Sequence, residues 1–229
     1  MSLITEIFLL ARKDILLEFR KRETLFSMGL FSFASILIFS TLFNLLGSIS
    51  LETKQAISTA CLWFIITFTV MLGLTSVFSR ELRKNSIYSL LSLSVKPQVI
   101  FLAKLAYLIV ILAFIEIITL ILAIVFLRLN IQGDFLLLCI VLSIGTIDLC
   151  VAGCIVSFLT IYARSKTLAI PILFFPLILP SILIATQVTT NIVLFEDPLY
   201  VLSNTLLLFI HALILLTIAL LVTDEIIGE

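Results

Sequence analysis

Six long stretches of the chain carry almost no charge, and they constrain the fold more than any other feature of the sequence. Four stretches contain no Asp, Glu, Lys or Arg, and the other two contain one acid each, Glu116 and Asp148. In chain order they are 24–51, 55–79, 105–127, 135–163, 167–195 and 198–223. Each is longer than the ~20 apolar residues with which a helix crosses ~30 Å of hydrocarbon. The sequence therefore predicts six transmembrane helices.

Composition and patterning favour a helical membrane protein over a soluble fold or a barrel. Of the 229 residues, 62% are hydrophobic and 12% are charged, whereas a soluble domain carries about 25% charged residues. No stretch alternates strictly between apolar and polar residues, as the strands of a membrane barrel do. We expect a single all-α membrane domain over 1–229. Its spans are expected near 25–49, 56–79, 105–127, 135–161, 168–190 and 199–222.

The first 23 residues predict an amphipathic helix that lies in the membrane interface. Apolar residues recur every three or four positions, with charged residues between them. The apolar positions are Leu3, Ile7, Phe8, Ala11, Ile15 and Phe19. The alternative is a cytosolic extension of the first span. Because charges of both signs are mixed here and the span that follows is long, a cleavable signal peptide is not expected.

The distribution of basic residues predicts the orientation of the helices. Twelve of the fourteen Lys and Arg fall in 1–23, 80–104 and 164–166, and the remaining two are Lys54 and Arg128. Cytoplasmic connectors of membrane proteins are enriched in Lys and Arg. Because the number of spans is even, both termini are expected in the cytoplasm.

Several kinds of chemistry are not expected from this chain. The sequence has no GxxxxGK[ST] phosphate-binding motif, so P-loop hydrolysis of ATP would need a separate subunit. It has one histidine and a net charge of zero, which argue against a histidine metal cluster and against nucleic-acid binding. No catalytic, cofactor-binding or metal site is predicted.

Two acids and one histidine are expected within the membrane. A charge at bilayer depth costs about 2.5–3.5 kcal/mol on insertion scales, so Glu116 and Asp148 are candidate functional residues. In a functional role they line a translocation path or bind a mobile proton. The alternative is a hydrogen-bonded contact between helices, which is favoured because no intramembrane Lys or Arg is available as a partner. His211, in the last span, is a weaker candidate, either as a haem or metal ligand or as an interhelical hydrogen-bonding residue.

The fifth span contains three prolines, Pro171, Pro176 and Pro180. Each proline removes a backbone donor and clashes with the preceding turn, so this helix is expected to kink or break. Broken helices often form the moving or substrate-lining elements of transporters. The three prolines are therefore candidates for translocation or gating, and the alternative is a static kink.

The connector 80–104 and the fifth span each contain a local motif. The segment 78–93 (FSRELRKNSIYSLLSL) has a charged start and a Leu-rich run at helical spacing, which predicts a short cytosolic helix, either a docking surface or a plain connector. The segment 170–184 (IPILFFPLILPSILI) is the proline-containing one. Together with a distant Lys104, the two motifs resemble those of the haem exporter B (CcmB) family, the six-span permease of the cytochrome c maturation ABC transporter. The chain departs from the family at Asn85, near Tyr88 and near Ser94, where family members tend to carry Gly, an acid and Pro.

The resemblance implies a non-catalytic ABC-2 type permease subunit with a separate ATP-binding subunit and haem-handling membrane subunits as partners. Membrane lipid and a second copy of the chain are further expected partners. Haem would be a transported or relayed ligand, with no cofactor bound stably. The implied docking residues for the ATP-binding subunit are Arg80, Glu81, Arg83, Lys84, Asn85, Leu90, Leu91 and Lys96.

The implied location is the bacterial inner membrane, crossed several times, or alternatively an organellar inner membrane. Three other functions stay open from the residues. They are an ABC-2 type permease for another substrate, a proton-coupled secondary carrier that uses Glu116 and Asp148, and a membrane scaffold. A carrier would be expected to show an internal repeat, and the sequence shows none.

Overall fold

The computed structural model describes residues 3–45, 49–83, 96–160, 166–194 and 197–228. These residues form seven α-helices and no strand, which confirms the all-α class. The helices are α1 (Leu3–Lys21), α2 (Glu23–Leu45), α3 (Leu51–Arg83), α4 (Pro97–Phe126), α5 (Phe135–Leu159), α6 (Lys166–Leu194) and α7 (Pro198–Gly228). Six of them, α2 to α7, are long and apolar enough to cross a membrane.

A turn at Arg22 separates α1 from α2. Arg22 has a φ of 58°, in the left-handed region that interrupts an α-helix. The backbone N–H of Thr24, in the first turn of α2, donates a hydrogen bond of 3.1 Å to the carboxylate of Glu18. Donors in the first turn have no partner within their helix, so this carboxylate caps α2. The first residues are therefore a separate helix and not an extension of the first span.

Helix α4 begins at Pro97 rather than near residue 105, where the charge-free stretch starts. Proline suits the first turn of a helix, because its φ is already helical and its missing N–H would have no partner there. Lys104, which was expected in the connector, therefore lies inside α4, where it is 7% exposed. The buried charge is compensated by Asp14 of α1, whose Oδ2 lies 2.6 Å from Lys104 Nζ.

Helix α6 runs unbroken from Lys166 to Leu194 although it contains all three prolines. Of the two expected outcomes, a kink or a break, the break is therefore excluded. The helix packs against α3, α5 and α7. Packing on several sides keeps such a helix intact where prolines have removed backbone hydrogen bonds.

Helix α5 lies at the centre of the bundle and packs against α3, α4, α6 and α7. Every residue from 148 to 158 is buried. Two glycines let α3 come close to α5, because the ring of Trp63 lies against Gly145 and the side chain of Leu74 lies against Gly153. Small residues allow such close approach between membrane helices, where packing is a main source of association.

Hydrogen bonds hold three segments together at one end of the bundle. The side chain of Gln55, near the start of α3, donates to the carbonyl of Arg128 and accepts from the N–H of Asn130, each at 3.1 Å. The N–H of Gly133 donates to the carbonyl of Ile192 near the end of α6, at 3.0 Å. The start of α3, the loop between α4 and α5 and the end of α6 are thus joined.

We expect Gly145→Ala to destabilise the protein and Gly29→Ala to be nearly neutral. A Cβ at Gly145 would overlap the ring of Trp63, whereas the nearest atom to a Cβ at Gly29 is Ile115 Cδ1 at 4.0 Å. Overpacking costs about 1–3 kcal/mol, so Gly145→Ala should unfold at a lower temperature. Thermal unfolding in detergent micelles can be followed by the emission of Trp63, the only tryptophan. Equal midpoints for the two variants would contradict the close packing of α3 on α5.

Candidate functional site inside the helix bundle

Asp148 and His211 form a pair that joins α5 to α7. Asp148 is fully buried, and its two carboxylate oxygens lie 3.0 and 3.1 Å from Nδ1 of His211. Ser181 of α6 lies beside Asp148, and its hydroxyl donates a hydrogen bond of 3.1 Å to the carbonyl of Ile178 within α6. Asp148 therefore has polar neighbours on two other helices, near the middle of the three apolar spans. The sequence offered no Lys or Arg as a partner for Asp148, and the partner is the only histidine.

Glu116 of α4 contacts α5 through a different residue. The hydroxyl of Thr146 donates a hydrogen bond of 2.8 Å to Glu116 Oε1. Beside this contact lies a small cavity between α3, α4 and α5, whose polar lining comes from Glu116, Thr69, Thr119 and Thr146. It has room for about one water molecule, so it is far too small for a haem.

The two contacts lie on opposite faces of α5. Thr146 and Asp148 are two residues apart, which places their side chains about 200° apart around an α-helix. Thr146 meets Glu116 of α4, and Asp148 meets His211 of α7. Polar contacts thus run from α4 through α5 to α6 and α7, and these are the two acids and the histidine that the sequence singled out.

A second set of polar contacts fixes α1 to α4. Lys104 pairs with Asp14, and the hydroxyl of Tyr107 donates a hydrogen bond of 2.9 Å to the fully buried Glu18. The sequence pattern assigned the acids of α1 to a polar face and did not predict their burial. A signal was present, since Asp14 and Glu18 share one face of α1, and Lys104 and Tyr107 share one face of α4.

The three prolines take no part in the polar contacts that the structure describes. Pro176 and Pro180 lie on an exposed face of α6, and Pro171 is partly buried. Ser181, the neighbour of Pro180, lies beside Asp148.

The predicted docking residues fall around the end of α3 and the start of α4. Arg80, Glu81 and Arg83 belong to the last turns of α3, and Lys96 is exposed directly before α4. Lys84, Asn85, Leu90 and Leu91 lie outside the described residues. The docking role of this segment therefore stays a prediction.

Comparison with known proteins gives one match. A family model described as CcmB protein matches residues 5–223, which include all six apolar helices almost to their ends. No curated protein and no solved structure matches the chain.

Removing the carboxylate of Asp148 should destabilise the bundle. Asp148→Ala leaves Nδ1 of His211 without its partner, which costs about 1–3 kcal/mol, whereas Asp148→Asn keeps an acceptor and should be milder. Ser143→Ala on the same helix is the matched control, because that hydroxyl donates to the Cys139 carbonyl within α5. Thermal unfolding in micelles provides the comparison. If Asp148→Ala and Ser143→Ala unfold together, the pair does not hold α5 against α7.

Proposed function

The chain belongs to the CcmB family, membrane components of the haem-export ABC transporter of cytochrome c maturation, and on this basis we propose that it is the permease subunit. The observation that carries the proposal is the family match over residues 5–223 of a chain with six membrane-crossing helices. In the proposed division of work, a separate subunit hydrolyses ATP and this chain converts the resulting motion into movement of its helices. The lack of a phosphate-binding loop in the sequence supports this division.

The position of α4 supports a mechanical role. It starts directly after Lys96, at the end of the proposed docking segment, and continues into the bundle to Glu116. At 1.5 Å per residue, Pro97 and Glu116 are about 28 Å apart along the helix axis. A displacement of the docking segment by an ATP-binding subunit would therefore be carried by α4 to Thr146 of α5.

The contacts of α5 supply the next step of the proposed mechanism. A shift of α5 would change the surroundings of Asp148, which pairs with His211 of α7 and lies beside Ser181 of α6. Ser181 follows Pro180 directly, at a point where α6 lacks backbone hydrogen bonds and bends more easily than an unbroken helix. The movement that accompanies transport would thus be concentrated in α6 and α7.

The remaining parts of the proposal concern partners and place. Haem is the transported or relayed ligand, and haem-handling membrane subunits of the same maturation system accept or deliver it. A second copy of the chain supplies the other membrane half that an ABC permease needs. The protein crosses an inner membrane several times, and both termini lie in the cytoplasm, as the distribution of Lys and Arg favours.

Reversing two charges at the end of α3 should weaken binding of the ATP-binding subunit. We expect the double variant Arg80→Glu and Arg83→Glu to retain at least about tenfold less of that subunit during purification. The substitutions would turn an attraction between the two arginines and an acidic surface of the ATP-binding subunit into a repulsion. Arg128→Glu, in the loop between α4 and α5, is the control and should retain it fully. Quantitative co-purification from membranes measures the effect. Full retention by the double variant would show that docking occurs elsewhere.

Single cysteines should report the orientation. Arg128 and Lys96 are both exposed, and the proposal places Arg128 outside the cytoplasm and Lys96 within it. A membrane-impermeant maleimide added to intact cells should label Arg128→Cys at once and Lys96→Cys after permeabilisation. The unsubstituted chain gives the background from its four native cysteines, three of them buried. Labelling in the reverse order would contradict the proposed orientation.

A further inference from the structure

One ring nitrogen of His211 is hydrogen-bonded, and the other has no partner among the residues that the structure describes. Its Nδ1 lies against both carboxylate oxygens of Asp148. With the carboxylate as acceptor, Nδ1 carries the hydrogen and Nε2 keeps its lone pair, a tautomer assigned from this hydrogen bond. A carboxylate on one nitrogen is the usual support of a histidine whose other nitrogen binds a metal, because it fixes the ring orientation and raises the basicity of the ligand.

The second nitrogen of His211 faces the outside of the bundle. Among the described residues, Nε2 neither accepts nor donates a hydrogen bond. It is also not among the unpaired polar atoms that are buried in this part of the chain, so it is exposed. The side chain is 23% exposed, whereas that of Asp148 is fully buried. Since His211 lies well inside the apolar span 198–223 of α7, its exposed nitrogen is directed toward lipid or toward a partner within the membrane.

The surroundings of Nε2 suit an apolar ligand that carries its own metal. Leu207 and Ile214, one turn before and one turn after His211, are both more than half exposed and share its face of α7. No group of three or more His, Cys, Asp or Glu residues able to hold a bare metal ion occurs in the described part of the chain. A porphyrin supplies four nitrogen ligands itself, needs one more from the protein, and lies well on an aliphatic surface.

We propose that His211 Nε2 binds the iron of haem at the membrane-facing surface of α7, with Asp148 as the residue that positions the imidazole. The proposal rests on the proposed function, because it names the contact between this permease and its ligand. It places haem at the edge of the bundle, beside Leu207 and Ile214, and not in the small cavity next to Glu116. Haem then enters the site sideways from the lipid or from a partner subunit.

Titration of ferric haem into the full-length chain in phospholipid nanodiscs tests the proposal. The unsubstituted protein should give the absorption spectrum of histidine-ligated haem. His211→Gln keeps an amide donor for Asp148 and so preserves the fold, but it should lose that spectrum and at least about tenfold in affinity. Asp148→Asn should weaken haem binding by roughly tenfold, as loss of the group that orients a ligand does. Tyr200→Phe, which removes another potential iron ligand of α7, should leave binding unchanged.

Two further arms separate iron ligation from partition into the bilayer. Metal-free protoporphyrin should bind the unsubstituted chain and His211→Gln alike, and added imidazole should restore the haem spectrum to His211→Gly. Equal haem affinity and equal spectra for the unsubstituted chain and His211→Gln would overturn the proposal. The same result follows if metal-free protoporphyrin shows the full dependence on His211.

Co-purification of the ATP-binding subunit distinguishes the two levels of failure. If the chain retains that subunit but binds no haem through His211, the inference is wrong and the proposed function stands. If the chain neither retains the subunit nor supports assembly of holocytochrome c, the proposed function itself is wrong.

Discussion

The arrangement of this bundle depends on the need of a buried carboxylate for partners where water is absent. Asp148 lies near the centre of an apolar span, and its desolvation is compensated within the protein by the hydrogen bond with His211 of α7. That bond fixes α5 against α7, and Ser181 of α6 lies beside Asp148 on the neighbouring helix. On the opposite face of α5, Thr146 donates a hydrogen bond to Glu116 of α4. Helix α3 packs closely against α5 at Gly145.

The same contacts give the proposed transporter a route between its two ends. One end is held by α3, the α4–α5 loop and α6, through backbone groups and Gln55. At the other end α1 is fixed to α4 by Lys104 and Tyr107, so the N-terminal helix is joined to the helix that follows the proposed docking segment. In the proposed mechanism, motion introduced there would reach α6 and α7 through α5, and α6 contains the three prolines.

The six apolar helices and their order follow from the sequence, because length and lack of charge are local properties that the membrane itself requires. The start of α4 could not be predicted from the sequence. The charge of Lys104 suggests a connector, and only the structure shows that Asp14 lies beside it within hydrogen-bonding distance. The pairing of Asp148 with His211 could not be predicted either, because 63 residues separate them and no local sequence pattern relates the two positions. The unbroken course of α6 depends on neighbouring helices, which the sequence does not reveal.

If the polar contacts through α5 transmit movement in the transporter, removal of a single hydroxyl from them should separate ATP hydrolysis from transport. Thr146→Val deletes the hydrogen bond to Glu116 with little change in volume, while Thr205→Val deletes a buried hydroxyl of α7 that donates within its own helix. Both are compared in membranes with the ATP-binding subunit present, by the rate of ATP hydrolysis and the yield of holocytochrome c. We expect Thr146→Val to leave the rate of ATP hydrolysis unchanged and to lower the yield of holocytochrome c, and Thr205→Val to change neither. An unchanged yield for Thr146→Val would show that these contacts do not transmit movement.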